Sequence, residues 1–538
     1  MSTPLELEDP VSLETLRKRQ AELYERWEHR DQTLGDDYPS IPEFYSGRHV
    51  FITGGSGFCG KVIIEKLLHS CPNIGNIYVL MRPGRNGQSA SDKLKQMIAL
   101  PMFDRLRKDH PAALDKMVVV VGDCMRPGLG ISAEDRRMLA DQVSVVIHSA
   151  ASVRFTDPIM KAARMNTGST VALVELAREM KNLKALVHIS TAYCNTIHNP
   201  TYERTYPTEH SYKDVLKYIE LPDAHVLDKL GHKFTGYQPN SYVFTKALSE
   251  QVIKEAGKDL PVIIVRPSIV TCALEEPIPG WMDNLNGFAM FWAVVSKGIQ
   301  RYAYLSRGND MKFDLAPVDL VGKLTILASW ARGTDQPLPC EAGDVQVVNE
   351  TCGEVKPTTM TMMLEVFDKH LADRKVAYPN VARYPRLVAL QNYPLYYVLN
   401  LLYHVMYGAI VDALLVAFKQ KPQLLDVYRK IENANQALKY FQENEFLFNS
   451  DNMWRLIAMV HPRDRETYRM FNRENKVSDW YEISRDQLLG VCKYALREPI
   501  RGQEDLDRNA RIINMWWWAE VCLYIFIIGL ATWAVGIW

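Results

Sequence analysis

What this chain of 538 residues lacks narrows what it does. Its charges cancel, 63 Lys and Arg against 63 Asp and Glu, so no basic surplus argues for nucleic acid as a partner and no acidic surplus for a cationic one. Any charged ligand must be met by local groups. Cysteine is sparse: nine residues, scattered, with no C-x-x-C pair and no histidine at zinc-ligand spacing. That leaves no ground for a metal site or a disulfide framework, and reduced thiols facing the cytosol are expected. The N-terminus carries no apolar run of the kind a secretory signal needs. Its first 46 residues are acidic and basic by turns, as in LETLRKRQAELYERWEHRDQ, and read as a charged arm. Hydrophobic residues make up 47%, enough at this length for a large α/β domain and a second module.

What is present begins with HVFITGGSGFCGK, residues 49–61. An apolar strand runs into Gly54, Gly57 and Gly60, and an apolar helix opens behind them. Backbone N–H groups approach a diphosphate only where no Cβ intervenes, and the helix N-terminus favours an anion. Thr53, Gly55, Ser56 and Phe58 complete the expected dinucleotide turn. Three glycines after a strand also make a plain tight turn, so context decides. That context is a series of apolar segments at 49–53, 77–81, 117–121, 143–148, 185–190 and 262–265, with helical stretches at 58–69 and 159–180 between them. Continuous apolar strands alternating with amphipathic helices predict a parallel sheet covered on both faces. The fold class is α/β, a doubly wound parallel Rossmann sheet.

The strand ends supply the remaining cofactor candidates. Arg82, with Arg85 close behind, follows the second strand, where an arginine accommodates a 2′-phosphate and an acid would hold a 2′-hydroxyl; NADPH is favoured over NADH. Asp123, after the third strand, is placed to accept from an adenine amine. Ala150 and Ala151, after the fourth, leave room for a cofactor on the backbone. Asn166 sits in a helical run.

The chemistry is expected from SYVFTKALSE. Tyr242 and Lys246 are four apart and share a helix face, and an ammonium near a phenol makes the tyrosine a usable acid near neutral pH. Thr191 or Ser190, at the end of the preceding strand, offers a second hydroxyl. The spacing is common, but its place between the fifth strand and the one ending in Arg266-Pro267 gives it weight.

Taken in order, TGGSGFCGK, GDCMRPGLG, HSAASVRF, ISTAYCN, YVFTK and VRPSIV resemble the extended short-chain dehydrogenase/reductases. More narrowly, with KQKPQLLDVYRKIENANQALKYFQENEFLFNSDNMWRL, they resemble the alcohol-forming fatty acyl-CoA reductases over residues 45–500. The resemblance implies Gly54, Gly57 and Gly60 as the phosphate turn, Tyr242 as catalytic acid, Lys246 as its partner and Thr191, then Ser190, as the hydroxyl. It extends cofactor binding to Tyr242, Lys246 and Pro267. It implies reduction of a fatty acyl-CoA by two NADPH to a primary alcohol, through an aldehyde, with CoA released. Gln238 stands where that family usually has a histidine before Pro-Asn. The 51 residues from Thr191 to Tyr242 are long for the superfamily, so a lid is expected over residues 195–238. Cys194 is a minor candidate for an acyl acceptor. A membrane-bound sterol or sugar-nucleotide dehydrogenase or epimerase, and a non-catalytic NADPH sensor, are the competing readings.

Four segments result: an arm at 1–46, a reductase domain at 47–355, a helical domain at 360–498 and a tail at 512–538. Trp281, Phe288, Phe291 and Trp292 are candidates for an acyl channel or for ordinary core. Residues 394–418 are apolar apart from Asn400, His404 and Asp412, which suits partial embedding or a buried core helix. Residues 521–538 carry no charge and follow three tryptophans, with Arg501, Arg508 and Arg511 upstream. They predict a C-terminal transmembrane anchor with the catalytic domain in the cytosol, on endoplasmic reticulum or peroxisome. Membrane lipid and acyl-CoA are thus the expected partners, and a homodimer is compatible.

Overall fold

The computed structural model describes residues 38–534 apart from 85–86, 222, 224, 337, 354–357 and 471–476. Most of the charged arm, Arg85 and the last four residues of the tail therefore lie outside the described residues.

The described residues fall into two compact units. The first takes those within Met1–Ile278, Asp314–Pro357 and Phe446–Glu474, the second those within Pro279–Phe313, Thr358–Glu445 and Asn475–Trp538. The chain passes from one to the other between Pro357 and Thr358, close to the expected domain boundary. It also crosses at four other points, so neither unit is continuous in sequence.

The first unit is built on seven parallel strands: β1 (His49–Thr53), β2 (Ile77–Met81), β3 (Met117–Val121), β4 (Val143–His148), β5 (Ala185–Ile189), β6 (Val262–Pro267) and β7 (Gln346–Glu350). Their order is β7-β6-β5-β4-β1-β2-β3, with every neighbouring pair parallel. This is the doubly wound sheet, and its order reverses between β1 and β4, where such sheets open a crevice for a ligand. β1, β2, β4 and β5 are buried along nearly their whole length, as a sheet covered on both faces requires.

α1 (Phe58–Ser70) follows the glycine turn, α2 (Ser169–Glu179) precedes β5, and α3 (Ser241–Ala256) carries Tyr242 and Lys246. The side chains of Leu173, Leu176, Val252 and Ile253 from α2 and α3 pack against Phe51, Val146, Leu186 and Ile264 of the sheet. A further helix, α4 (Val318–Gly333), is buried almost throughout. β7 was not expected: the regular strand pattern fades beyond residue 270, and QVVNE is too short and too polar to stand out. It finds its place by pairing with β6, Gln346 beside Ile263 and Glu350 beside Pro267.

The residues expected to form a lid, 195–238, carry short helices at Tyr212–Tyr218, His225–Leu230 and His232–Thr235. Val215, Ile219 and Phe234 from this segment form a small apolar cluster with Ile159, Phe244 and Leu248. The segment is therefore packed on α3.

The second unit is mostly helical. A helix α5 (Tyr393–Ala417) is long and apolar enough to cross a membrane. It is followed by α6 (Leu424–Glu443) and, at the end of the chain, α7 (Gln503–Ala534). Phe288, Phe291, Trp292 and Phe367 stack into one aromatic cluster, and Trp281 packs on Tyr494. These rings are ordinary core of the second unit.

Candidate active site

The glycine turn sits at the reversal of strand order. Gly54 has φ +72°, and a Cβ there would fall 2.6 Å from the backbone N of Ala150. The end of β1 thus lies directly against the loop leaving β4, which only glycine permits. Gly57 donates its N–H to Gly54 O at 2.8 Å and caps α1. Gly60 lets the first turn of α1 close down on Gly54 O. Lys61 Nζ ties back to Ser56 O at 2.8 Å. An open backbone cradle at a helix N-terminus, with no side chain to fill it, fits a dinucleotide diphosphate.

The other expected cofactor residues fall into two groups. Ser56, Phe58, Ala151 and Asp123 are partly or fully exposed and Arg82 is exposed; Lys93 Nζ holds Arg82 O at 2.9 Å, which gathers two cations beyond β2. Ala150 and Pro267 are buried at strand ends. Thr53 and Asn166, by contrast, have their side chains engaged inside the fold. Thr53 Oγ1 meets His148 Nδ1 at 2.6 Å, and His148 Nε2 meets Thr170 Oγ1 at 3.1 Å. Asn166 takes the N–H of Ser152 at 2.7 Å and donates to Thr245 Oγ1 at 2.9 Å. An exposed amide is usual in a helical run, but this one is buried and braces the β4 loop against α3. Both residues shape the crevice through the groups they hold.

Asn240 caps α3, accepting from Val243 N at 3.0 Å, and this sets the rotation that brings Tyr242 and Lys246 to the ends of β4 and β5. The Thr191 hydroxyl is a hydrogen-bond partner of Tyr242, and Phe155 stacks on the tyrosine ring at 5.7 Å. Burial raises the Tyr242 pKa, the nearby Cys194 adds to this, Thr191 opposes it, and Cys59 on the first turn of α1 raises it further. Ser190, four residues from Cys194, turns its hydroxyl toward that thiol at 3.8 Å, so Thr191 is the hydroxyl that accompanies Tyr242.

Lys246 differs from expectation. Its ammonium donates to Ile189 O at 2.6 Å and lies 3.5 Å from His188 Nε2. Burial keeps the Tyr242 phenol protonated. Burial pulls the Lys246 pKa down to about 8, against the pull of Cys194 and Glu250. His188 is held neutral by burial and by the nearby Lys246 ammonium, so its ring nitrogen can accept from that ammonium.

Behind this lies a buried ion pair that sequence reasoning passed over. Arg266 donates to both oxygens of Glu250 at 2.7 Å, and neither side chain is more than 3% exposed. Burial works to raise the Glu250 pKa, and Arg266 more than offsets it. Arg266 also donates to Tyr202 O at 3.1 Å and Arg204 O at 2.8 Å, pinning the start of the inserted segment. The signal was there: Glu250 is the third member of the Tyr242, Lys246 series at four-residue spacing, and an arginine inside an apolar strand demands a partner. Gln238 donates to Cys194 O at 2.8 Å. Cys194 itself is fully buried, donates to Thr191 O and Glu250 Oε1 at 3.1 and 3.3 Å, and has its pKa raised by burial. It is a structural thiol, not an acyl acceptor.

Two family profiles, both described as Male sterility protein, match the chain: an NAD-binding one over residues 52–325 and a Sterile one over residues 403–498. Fatty acyl-CoA reductase 1 of Homo sapiens is 33% identical over 469 residues, 86% of this chain and 87% of that protein. The chain belongs to the fatty acyl-CoA reductase family. Another relative, fatty acyl-CoA reductase wat of Drosophila melanogaster, is 33% identical over 504 residues, 93% of each chain. Among solved structures, the reductase domain of a nonribosomal peptide synthetase from Mycobacterium tuberculosis superposes with a TM-score of 0.51 at 17% identity, over 88% of this chain and 99% of that one. The terminal R domain of the myxalamid pathway gives 0.50 at 18%, over 82% and 92%. Both share the fold. As a fatty acyl-CoA reductase the chain is an oxidoreductase that takes a nicotinamide cofactor and an acyl-CoA.

Proposed function

We propose that this enzyme reduces long-chain or very-long-chain fatty acyl-CoA to the primary alcohol with NADPH, holding the aldehyde between two hydride transfers. The observation that carries the reading is the pair of hydroxyls, Thr191 just past β5 and Tyr242 at the start of α3, close enough for the first to lower the pKa of the second. NADPH is held by the turn from Gly54 to Phe58 with Gly60, by Asp123, Ala150, Ala151 and Pro267, and by Tyr242 and Lys246, with Thr53 and Asn166 bracing the crevice behind them. Arg82, with Lys93 behind it, meets the 2′-phosphate. When bound, the cofactor supplies hydride, and a thioester needs two to reach the alcohol.

The two hydroxyls converge on the substrate carbonyl oxygen and stabilise it as negative charge grows there. A phenol kept protonated by burial is suited to this, because it donates throughout. Collapse of the hemithioacetal expels CoA, and the carbonyl oxygen of the remaining aldehyde takes the same place. In the second reduction Tyr242 gives its proton to the nascent alkoxide. Lys246 positions rather than protonates: Ile189 O and His188 fix its ammonium one helical turn from Tyr242, and Glu250 with Arg266 fix the far side. No thiol takes part.

Domain bounds of 1–46, 47–355, 360–498 and 512–538 go with this reading, the last a tail anchor that leaves the catalytic domain in the cytosol, on endoplasmic reticulum or peroxisome. Membrane lipid is then the second partner, and the mass of the solubilised protein tests for a homodimer. The deciding experiment gives detergent-solubilised protein NADPH and acyl-CoA thioesters of graded chain length. Primary alcohol, with two NADPH consumed for each CoA released, is the expected result. No alcohol from any chain despite NADPH binding would overturn it, and would shift attention to steroid and sugar-nucleotide substrates.

A further inference from the structure

We propose that α5 lies in the plane of the membrane interface, one face sunk among lipid acyl chains, and does not cross the bilayer. The proposal rests on the reading of the tail as the membrane anchor and adds a second, independent contact with lipid.

Asn400, His404 and Asp412 of α5 turn toward the chain and are satisfied there. Asn400 Oδ1 meets His404 Nδ1 at 2.6 Å, and His404 Nε2 takes the backbone N–H of Arg301 at 3.0 Å. The Asp412 carboxylate accepts from the backbone N–H groups of Gln423, Leu424 and Leu425 at 2.9, 2.9 and 3.0 Å, capping α6. What faces outward is mostly aliphatic, with Tyr393 and Tyr397 exposed beside it. Val398, Leu402, Val405 and Leu414 are exposed, and Ile410, Val416 and Phe418 are 58, 58 and 75% exposed. An apolar stripe of this length has no reason to face water.

The inner face shows why α5 does not span. It packs on α6, with His404 against the Tyr428 ring at 5.2 Å and Gly408 under the same ring. α6 exposes Asp426, Arg429, Lys430 and Lys439. Crossing would take these charges into hydrocarbon at several kcal/mol each, by order of magnitude, whereas lying flat leaves them in water.

The tail sets the depth. Glu520 is the last charged residue of the chain, and Arg301 grips both its oxygens at 2.8 and 2.9 Å. The same Arg301 holds His404 through its backbone. The middle of α5 is therefore level with the point where the uncharged run of the tail begins. Exposed Lys419 and Lys421 follow α5 directly, where anionic headgroups would meet them.

The test places a small fluorescent amino acid at Val398, Val405 or Val416 of the full-length protein in liposomes whose lipids carry a quencher at the headgroup, the fifth or the twelfth acyl carbon. All three positions are exposed, so folding, checked by thermal melting, is expected to survive. The expected result is quenching of all three by the fifth-carbon lipid, equal within about twofold. Two results would overturn the proposal: twelfth-carbon quenching at Val405 with shallow ends, which means a span, or no quenching at any position, which means a protein or a second copy covers the face. A label at Ile525 reports the tail separately. Shallow tail quenching with all three α5 positions still at the fifth carbon would refute the anchor and leave the in-plane helix standing.

Discussion

Two regions of this enzyme break the usual partition of side chains in opposite directions. At the C-terminal ends of β4, β5 and β6, charges are buried: Lys246, Glu250 and Arg266 are all 3% exposed or less. Along α5, large aliphatic side chains are exposed. Each costs free energy in water, and each makes sense only with an occupant. The buried charges hold an interior in which hydroxyls and an ammonium are fixed before substrate arrives; the exposed aliphatics await a medium other than water. A region of the first kind supplies its own compensation, as Glu250 and Arg266 do for each other. A region of the second kind cannot, because its partner is outside the chain.

Substitutions can press on each side of this contrast. The largest effect is expected from Tyr242→Phe, which removes the donor the buried site is built around. Turnover of acyl-CoA should fall by about a thousandfold, the middle of the range for a general acid, with NADPH affinity, read by fluorescence titration, nearly unchanged. Unchanged turnover would mean that the interior charges serve some other hydroxyl. Next is Gly54→Ala. A Cβ at φ +72° that meets the Ala150 backbone must push β1 and the β4 loop apart, and NADPH affinity should fall by about a hundredfold.

The ion pair itself is tested by stability. Arg266→Met leaves a buried carboxylate alone and should cost about 3–5 kcal/mol in chemical denaturation, while Glu250→Gln with Arg266→Met should recover part of it. An outward Ile410→Glu, by contrast, should change the stability of the detergent-solubilised protein by only about 0.5 kcal/mol. A large loss there would show that α5 packs against the chain and erase the contrast.

The pH dependence follows from Lys246. Its ammonium is the form that donates to Ile189 O, and with a pKa lowered to about 8 that form is lost as the pH rises through about 8. Turnover at saturating substrate should therefore decline above about pH 8. Lys246→Arg, which stays charged, should remove that decline. A modest effect is expected from Arg82→Ala: an exposed arginine meeting a 2′-phosphate is worth about a tenfold preference for NADPH over NADH, read as a ratio of kcat/KM.

Much of the sheet was legible strand by strand. β1 through β6 and α1 are continuous apolar or amphipathic runs of ordinary length, and their pattern is local. β7 was not, because a five-residue strand ending in Asn349 and Glu350 gains its identity from β6 alone. The glycine turn was readable because only one residue type tolerates Gly54's backbone. Tyr242 and Lys246 were readable by spacing, but the lysine's action was not: whether an ammonium faces a phenol or a carbonyl depends on where β5 ends relative to α3. The same holds for Asn166, which a helical context marks as exposed and which the β4 loop buries.

For α5 the sequence determined its length, its hydrophobicity and its three polar residues, since these are properties of single side chains and of a 25-residue helix. It could not determine which way those residues face. Asp412 is costly in lipid or useful as a cap depending on whether α6 begins beside it, and Glu520 ends the charged part of the tail or joins an ion pair depending on where Arg301 lies. Sequence sets what each group would cost alone; only the tertiary structure decides which groups meet, because the partners are more than a hundred residues away along the chain for His404 and more than two hundred for Glu520.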